Sequence, residues 1–171
     1  DAKTVMANAS KAMGADSMKT VVYSATGEDF ALGQAYSPTS RWSRFINKSY
    51  TRMIDFDVPA SRVDRIRMQG EDPPRGGGQQ PVRGEQVANQ TIIVNARTPW
   101  VQQLEIWMMP YGFLKAATAR NATLKSQTIG GRKYSVLTFT GENKAQVNGY
   151  INDQNMVDKV ETAQTFGGID I

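Results

Sequence analysis

The chain has 171 residues, 40% of them hydrophobic and 21% charged, with a formal net charge of +4. Such a composition suits a folded domain able to bury a core and argues against a disordered chain; no apolar run reaches the ~18 residues of a membrane-crossing helix. Histidine and cysteine are both absent, which excludes a disulfide scaffold, a His/Cys zinc site, a Cys nucleophile and a Ser-His-Asp triad from these residues.

The first residue is Asp1, and a helical pattern follows directly, without a basic and apolar leader. Either a leader has been removed, which implies a periplasmic or secreted protein, or the chain was trimmed. Val5, Ala9 and Met13 recur every four residues and Gly14 follows, which predicts a helix over 2–13. Residues 18–31, rich in Val, Tyr, Thr and Phe, read as a strand, and 33–40 as a loop. Residues 42–56 form the longest predicted strand, with Ile46, Tyr50, Ile54 and Phe56 on one face and Asn47, Ser49, Thr51 and Asp55 on the other. Lys48 and Arg52 interrupt the apolar face. A turn at 57–60 leads to a returning strand over 61–69.

Residues 70–84 carry five Gly and three Pro in 15 positions, so neither helix nor central strand is expected. They read as a mobile surface loop. The segment lacks the Gly-Lys-Ser/Thr ending of a phosphate loop. A strand is expected at 90–96, then a helical stripe of Leu104, Trp107, Met108, Tyr111 and Leu114 over 103–120, kinked or split at Pro110. Two hairpins close the pattern: 123–128 with 133–140 around Gly130-Gly131, and 145–151 with 156–163 around residues 152–155. The fold class is therefore α+β: a curved, half-barrel-like antiparallel sheet with the N-terminal helix and the kinked mid-chain helix packed on it, in a single β-rich domain over 1–171.

Few residues point to chemistry. Arg62, Arg65 and Arg67 are the densest basic cluster, but Asp64 sits inside it, and a solvated strand face is a far better reading of it than nucleic-acid binding. Asp55 with Asp57, and Asp153 with Asp158, are conceivable calcium ligands, yet neither matches a calcium loop and turn capping accounts for both. Glu28, Asp29 and Glu105 are available carboxylates that no spacing places in a facing pair. Tyr50, Trp100, Trp107, Met108, Tyr111 and Phe113 are the candidates for an apolar ligand site, because Met and aromatic side chains make adaptable surfaces. Core packing of helix on sheet is the competing reading of the same residues.

Four segments carry a resemblance: 33–57 (GQAYSPTSRWSRFINKSYTRMIDFD), 69–86 (QGEDPPRGGGQQPVRGEQ), 106–141 (IWMMPYGFLKAATARNATLKSQTIGGRKYSVLTFTG) and 144–162 (KAQVNGYINDQNMVDKVET). Together they resemble the N-terminal region of exported bacterial hydrolases of the metallo-β-lactamase fold. The helix, long strands and later hairpins are also similar to the half-open barrels of outer-membrane lipoprotein carriers, a likeness of fold alone. In the hydrolases the zinc ligands belong to a HxHxDH-type motif in a later domain. No residue here matches it, so no catalytic or metal residue carries over. The resemblance implies an accessory domain of a longer polypeptide, without a cofactor of its own, zinc belonging only to a downstream domain. Its partner would be that catalytic domain. The alternatives are a stand-alone periplasmic protein binding a hydrophobic small molecule, and a structural domain forming homo-oligomers through an exposed strand edge. Neither nucleic acid nor a membrane span is expected.

Overall fold

The computed structural model describes residues 1–35, 37–70, 84–163, 165–166 and 169–170. Residues 71–83, most of the expected mobile loop, lie outside the described residues. The chain is α+β and divides into two compact units, one of residues 1–20, 55–60 and 93–171, the other of 21–54 and 61–92.

Helix α1 spans Ala2–Met13. The Asp1 carboxylate accepts the Thr4 N–H at 2.8 Å, satisfying one of the donors that a helix leaves open at its start. Gly14 ends the helix at φ 66°, a left-handed conformation that a residue without Cβ adopts freely. The N–H groups of Gly14 and Ala15 return to the carbonyls of Lys11 and Ser10.

In the second unit, strands β1 (Thr20–Ala35), β2 (Trp42–Asp55), β3 (Ala60–Gln69) and β4 (Gln86–Ile93) make an antiparallel sheet in the order β1-β2-β3-β4. Three expectations are corrected here. Strand β1 runs on to Ala35, past the start of the loop expected at 33–40. Strand β4 occupies 86–93 rather than 90–96, because Asn95 turns the chain: its side chain accepts the Arg97 N–H at 2.8 Å, and its N–H goes to Thr98 Oγ1 at 3.0 Å. The strict alternation expected along β2 also fails. Ser43 and Phe45 are buried at one end, but Arg52 and Ile54 at the other. Burial thus passes from odd to even positions within the strand.

The first unit carries helix α2 (Trp100–Trp107), helix α3 (Pro110–Ala119), and a second sheet of β5 (Thr123–Ile129), β6 (Arg132–Thr140), β7 (Gln146–Ile151) and β8 (Val157–Thr162), in sequential antiparallel order. Pro110 stands at the first position of α3, where its missing N–H costs nothing, so the expected kink is a clean division into two helices. Gly130 and Gly131 join β5 to β6 with φ of 56° and 81°, matching the right-handed twist of a hairpin. A 3₁₀ turn, Glu142–Lys144, precedes β7, and β9 (Thr165–Phe166) pairs antiparallel with β10 (Ile169–Asp170).

Both helical elements bury their stripes against one face of the second sheet. Met6 and Ala9 of α1 join Phe113, Leu114, Ala116 and Ala117 of α3, and Leu137, Phe139, Val147, Ile151 and Val157 of the strands, in one cluster. Each large side chain so buried contributes about 1.5–3 kcal/mol. Phe113 meets Phe139 at a ring separation of 5.6 Å and lies over Gly149, where any Cβ would collide with its ring. Gly112 performs the same service between helices: a Cβ there would strike the Ile106 carbonyl and press on the Phe56 ring.

Because the obstacle at Gly112 is backbone, Gly112→Ala is expected to destabilise the chain by about 1–3 kcal/mol, read as a lower urea midpoint. An unchanged midpoint would show that α2 and α3 are not held at this distance.

Candidate functional site

The six sequence-predicted site residues divide between the units. Tyr50 lies on β2 of the second unit. It faces Tyr23 at 6.2 Å between rings, and the Arg52 guanidinium lies 5.6 Å from its ring centre. The other five gather at the α2–α3 corner of the first unit. Phe113 is wholly buried and Trp100 is 5% exposed, so both are spent on the core. Trp100 packs over Gly141, and the Arg120 guanidinium lies 5.5 Å from its ring centre. Trp107, Met108 and Tyr111 are half-buried and rest against the core cluster. They are the part of the stripe with surface left to offer.

That corner is locked by Gln103, a residue that apolar periodicity does not single out. It is 2% exposed. Its Nε2 donates to the Thr98 carbonyl at 2.9 Å and to Glu142 Oε1 at 2.8 Å, while its Oε1 accepts the Trp107 indole N–H at 3.2 Å. One amide therefore ties the start of α2, the end of α2 and the turn before β7. Leaving such a buried polar group unpaired costs about 1–3 kcal/mol, so the three bonds specify the geometry of the corner.

The charged candidates are engaged with one another. Arg62 donates to Asp64, and Arg65 and Arg67 both approach Asp29, at 3.9 and 3.5 Å. Asp29 also accepts from Asn47 at 2.8 Å, and Glu28 from Arg44 at 2.8 Å. The basic cluster is thus matched by carboxylates on its own sheet. Asp55 caps the turn, accepting the N–H groups of Asp57 and Val58 at 2.8 and 3.0 Å. Asn152 does the same for Gln154 and Met156, and donates to Asp158 at 2.7 Å. Among the described residues no group of three or more carboxylates gathers as a metal site would require.

The first unit has a groove of about 670 Å³ between α1 and the end of α3, with Met6 and Ala122 at its floor and Asp1, Lys3 and Asp16 on its rim. That volume falls in the range of small-molecule sites. Sequence reading missed it because its apolar atoms come from Ala and Met of α1 and from Ala122 beyond the end of α3. A polar cleft of about 490 Å³ lies between the two hairpin ends, with Arg132 and Lys133 on one wall and Asp153 and Asp158 on the other. A shallow hollow of about 360 Å³ lies beside Tyr50.

One titratable pair is strongly perturbed. The Tyr150 hydroxyl donates to the Glu161 carboxylate, which also takes the Lys159 ammonium. Its bond to Glu161, then burial, then the negative charge of Glu161 push the Tyr150 hydroxyl from an ordinary 10.0 up to about 12. Hydrogen bonds from Lys159 and Tyr150 hold the Glu161 carboxyl below its ordinary value. Tyr134 meets the edge of the Tyr150 ring at 6.0 Å, and Lys159 lies 5.2 Å from its centre. The cluster staples β7 to β8, since Tyr150 and Lys159 are register partners.

Comparison with family models, curated proteins and solved structures gives no match for this chain.

The native Tyr150 keeps its proton to higher pH than the unfolded chain does, so its contribution to stability is full below pH 10.0 and declines as pH rises to about 12. The depressed Glu161 acts at the other end: its contribution is present above the ordinary carboxylate range and is lost as pH falls through its native value. Urea midpoints measured at rising alkaline pH are expected to fall less steeply for Tyr150→Phe than for the native chain. Parallel slopes would show that the Tyr150–Glu161 bond does not couple to folding.

Proposed function

We propose that this chain is a non-catalytic accessory domain of an exported hydrolase of the metallo-β-lactamase fold, working by contact with its own downstream catalytic domain. The observation that carries the reading is chemical: 171 residues contain no His and no Cys, so the nitrogen and sulfur ligands of a catalytic zinc must come from elsewhere. The four segments that resemble the front region of such hydrolases supply the identity of the partner. The carboxylates singled out by the sequence add support where they are engaged structurally: Asp55 caps a turn, and Glu28, Asp29 and Asp64 pair with arginines of their own sheet. Within this reading the half-buried surface of Trp107, Met108 and Tyr111 is the natural place for the catalytic domain to rest. Large, flexible and aromatic side chains with residual exposure are favoured at such interfaces.

The α1–α3 groove favours a second reading, a stand-alone exported protein that holds a hydrophobic small molecule. Its volume is suitable, and its floor of Met6 and Ala122 offers apolar contact under a polar rim.

Intact mass of the protein from its source organism, with the sequence beyond Ile171, separates the two. A longer polypeptide carrying a HxHxDH-type segment is the expected result. A mature protein that ends with this chain would remove the hydrolase reading and leave the groove as the functional feature.

A further inference from the structure

We propose that two copies of this chain pair antiparallel through the free edge of β1, joining their four-stranded sheets into one of eight strands. The inference rests on the edge, its composition and its symmetry, and is independent of the hydrolase reading.

Strand β1 has a neighbour on one side only among the described residues. It is 16 residues long, and residues 24–28 are exposed in succession. Edges of this length normally carry a lysine, a proline or an inward charge that blocks further pairing. Thr20–Ala35 contains no Lys, Arg or Pro. Its two carboxylates are drawn sideways onto its own sheet, Glu28 by Arg44 and Asp29 by Asn47. Neither guards the edge.

The strand is also self-complementary. Its side chains alternate regularly: Ser24 bonds to Thr51 and Glu28 to Arg44 on one face, while Tyr23 meets Tyr50 and Asp29 meets Asn47 on the other. Val22 and Phe30 therefore share the face of Ser24 and Glu28, and they are 61% and 50% exposed. They lie equally far on either side of Thr26. A two-fold axis through Thr26 sets Val22 of each copy opposite Phe30 of the other, Ser24 opposite Glu28, and Thr26 opposite itself. Both exposed apolar side chains find a partner, a β-branched residue against an aromatic, and no like charges meet. Two-fold edge pairing closes the assembly and leaves no growing end on β1. Strand β4, the other edge, is half as long, with eight residues, and has exposed Val87 as a reference position.

The test uses the whole chain, whose lack of cysteine makes an introduced thiol unique. Sedimentation equilibrium is expected to show a dimer whose population rises with concentration. Thr26→Cys is expected to oxidise to an intermolecular disulfide faster than Val87→Cys, because opposed positions across an antiparallel pair bring their Cβ atoms to about 4.5–5.5 Å. Val22→Lys and Phe30→Glu each remove two equivalent pairs per dimer, so each is expected to weaken association about tenfold. The double variant Val22→Lys/Phe30→Glu is expected to regain it through two cross-strand ion pairs. A monomer at every concentration overturns the proposal. So does a dimer that Val22→Lys leaves intact, or faster cross-linking of Val87→Cys, which would place the interface on another surface.

Discussion

The seating of Phe113 on Gly149 is the contact on which the first unit depends. A sheet face presents side chains at every second residue, and a fully buried aromatic needs a gap among them. Gly149 supplies that gap on β7, opposite Leu137 of β6. Phe113 fills it and meets Phe139, which brings α3 down onto the sheet. With α3 placed, Thr118 approaches Met6 of α1, and the chain turn at Gly14 is stabilised over the same cluster. Gln103 then ties α2 to the segment before it and to the turn before β7, through bonds that only one orientation of its amide satisfies.

This packing decides how the aromatic stripe is to be understood. Trp100 and Phe113 lie too deep to meet anything outside the unit, whereas Trp107, Met108 and Tyr111 keep partial exposure. Periodicity places Trp107, Met108 and Tyr111 on one stripe with Leu104 and Leu114, and it does not give the depth of any of these side chains. The two depths occur within each helix: Trp100 of α2 and Phe113 of α3 are buried, while Trp107 of α2 and Tyr111 of α3 keep partial exposure. A surface of Met, Trp and Tyr, with Trp107 held by a buried amide, suits recognition by shape.

Local rules read much of the fold. The α1 boundaries, its glycine stop, the break at Pro110 and the Gly130-Gly131 hairpin each follow from one residue's backbone preference, and each stands where that preference puts it. What local rules could not read was tertiary. The change of phase within β2 depends on its neighbours in the sheet, and the division into two four-stranded sheets depends on which strand edges meet. Gln103 gave no signal because a lone glutamine in a helix is ordinarily a surface residue. The groove beside α1 gave none because alanines carry no chemistry until the fold places Ala122, just past α3, against those of α1. Asp55 caps its turn as its context suggested, whereas at residues 152–155 the capping is done by Asn152, which also donates to Asp158.

The most direct test of the account is a double-mutant cycle between Gly149 and Phe113, measured by urea unfolding. Gly149→Ala should be strongly destabilising because its methyl collides with the Phe113 ring. Phe113→Leu should cost stability through lost contact, but it frees the space that the new methyl needs. The combined variant should therefore be more stable than the sum of the two single losses implies, with a coupling in the range of about 0.5–3 kcal/mol seen for contacting residues. Simple additivity would contradict the account, since it would mean that the sheet and α3 are not joined through this pair.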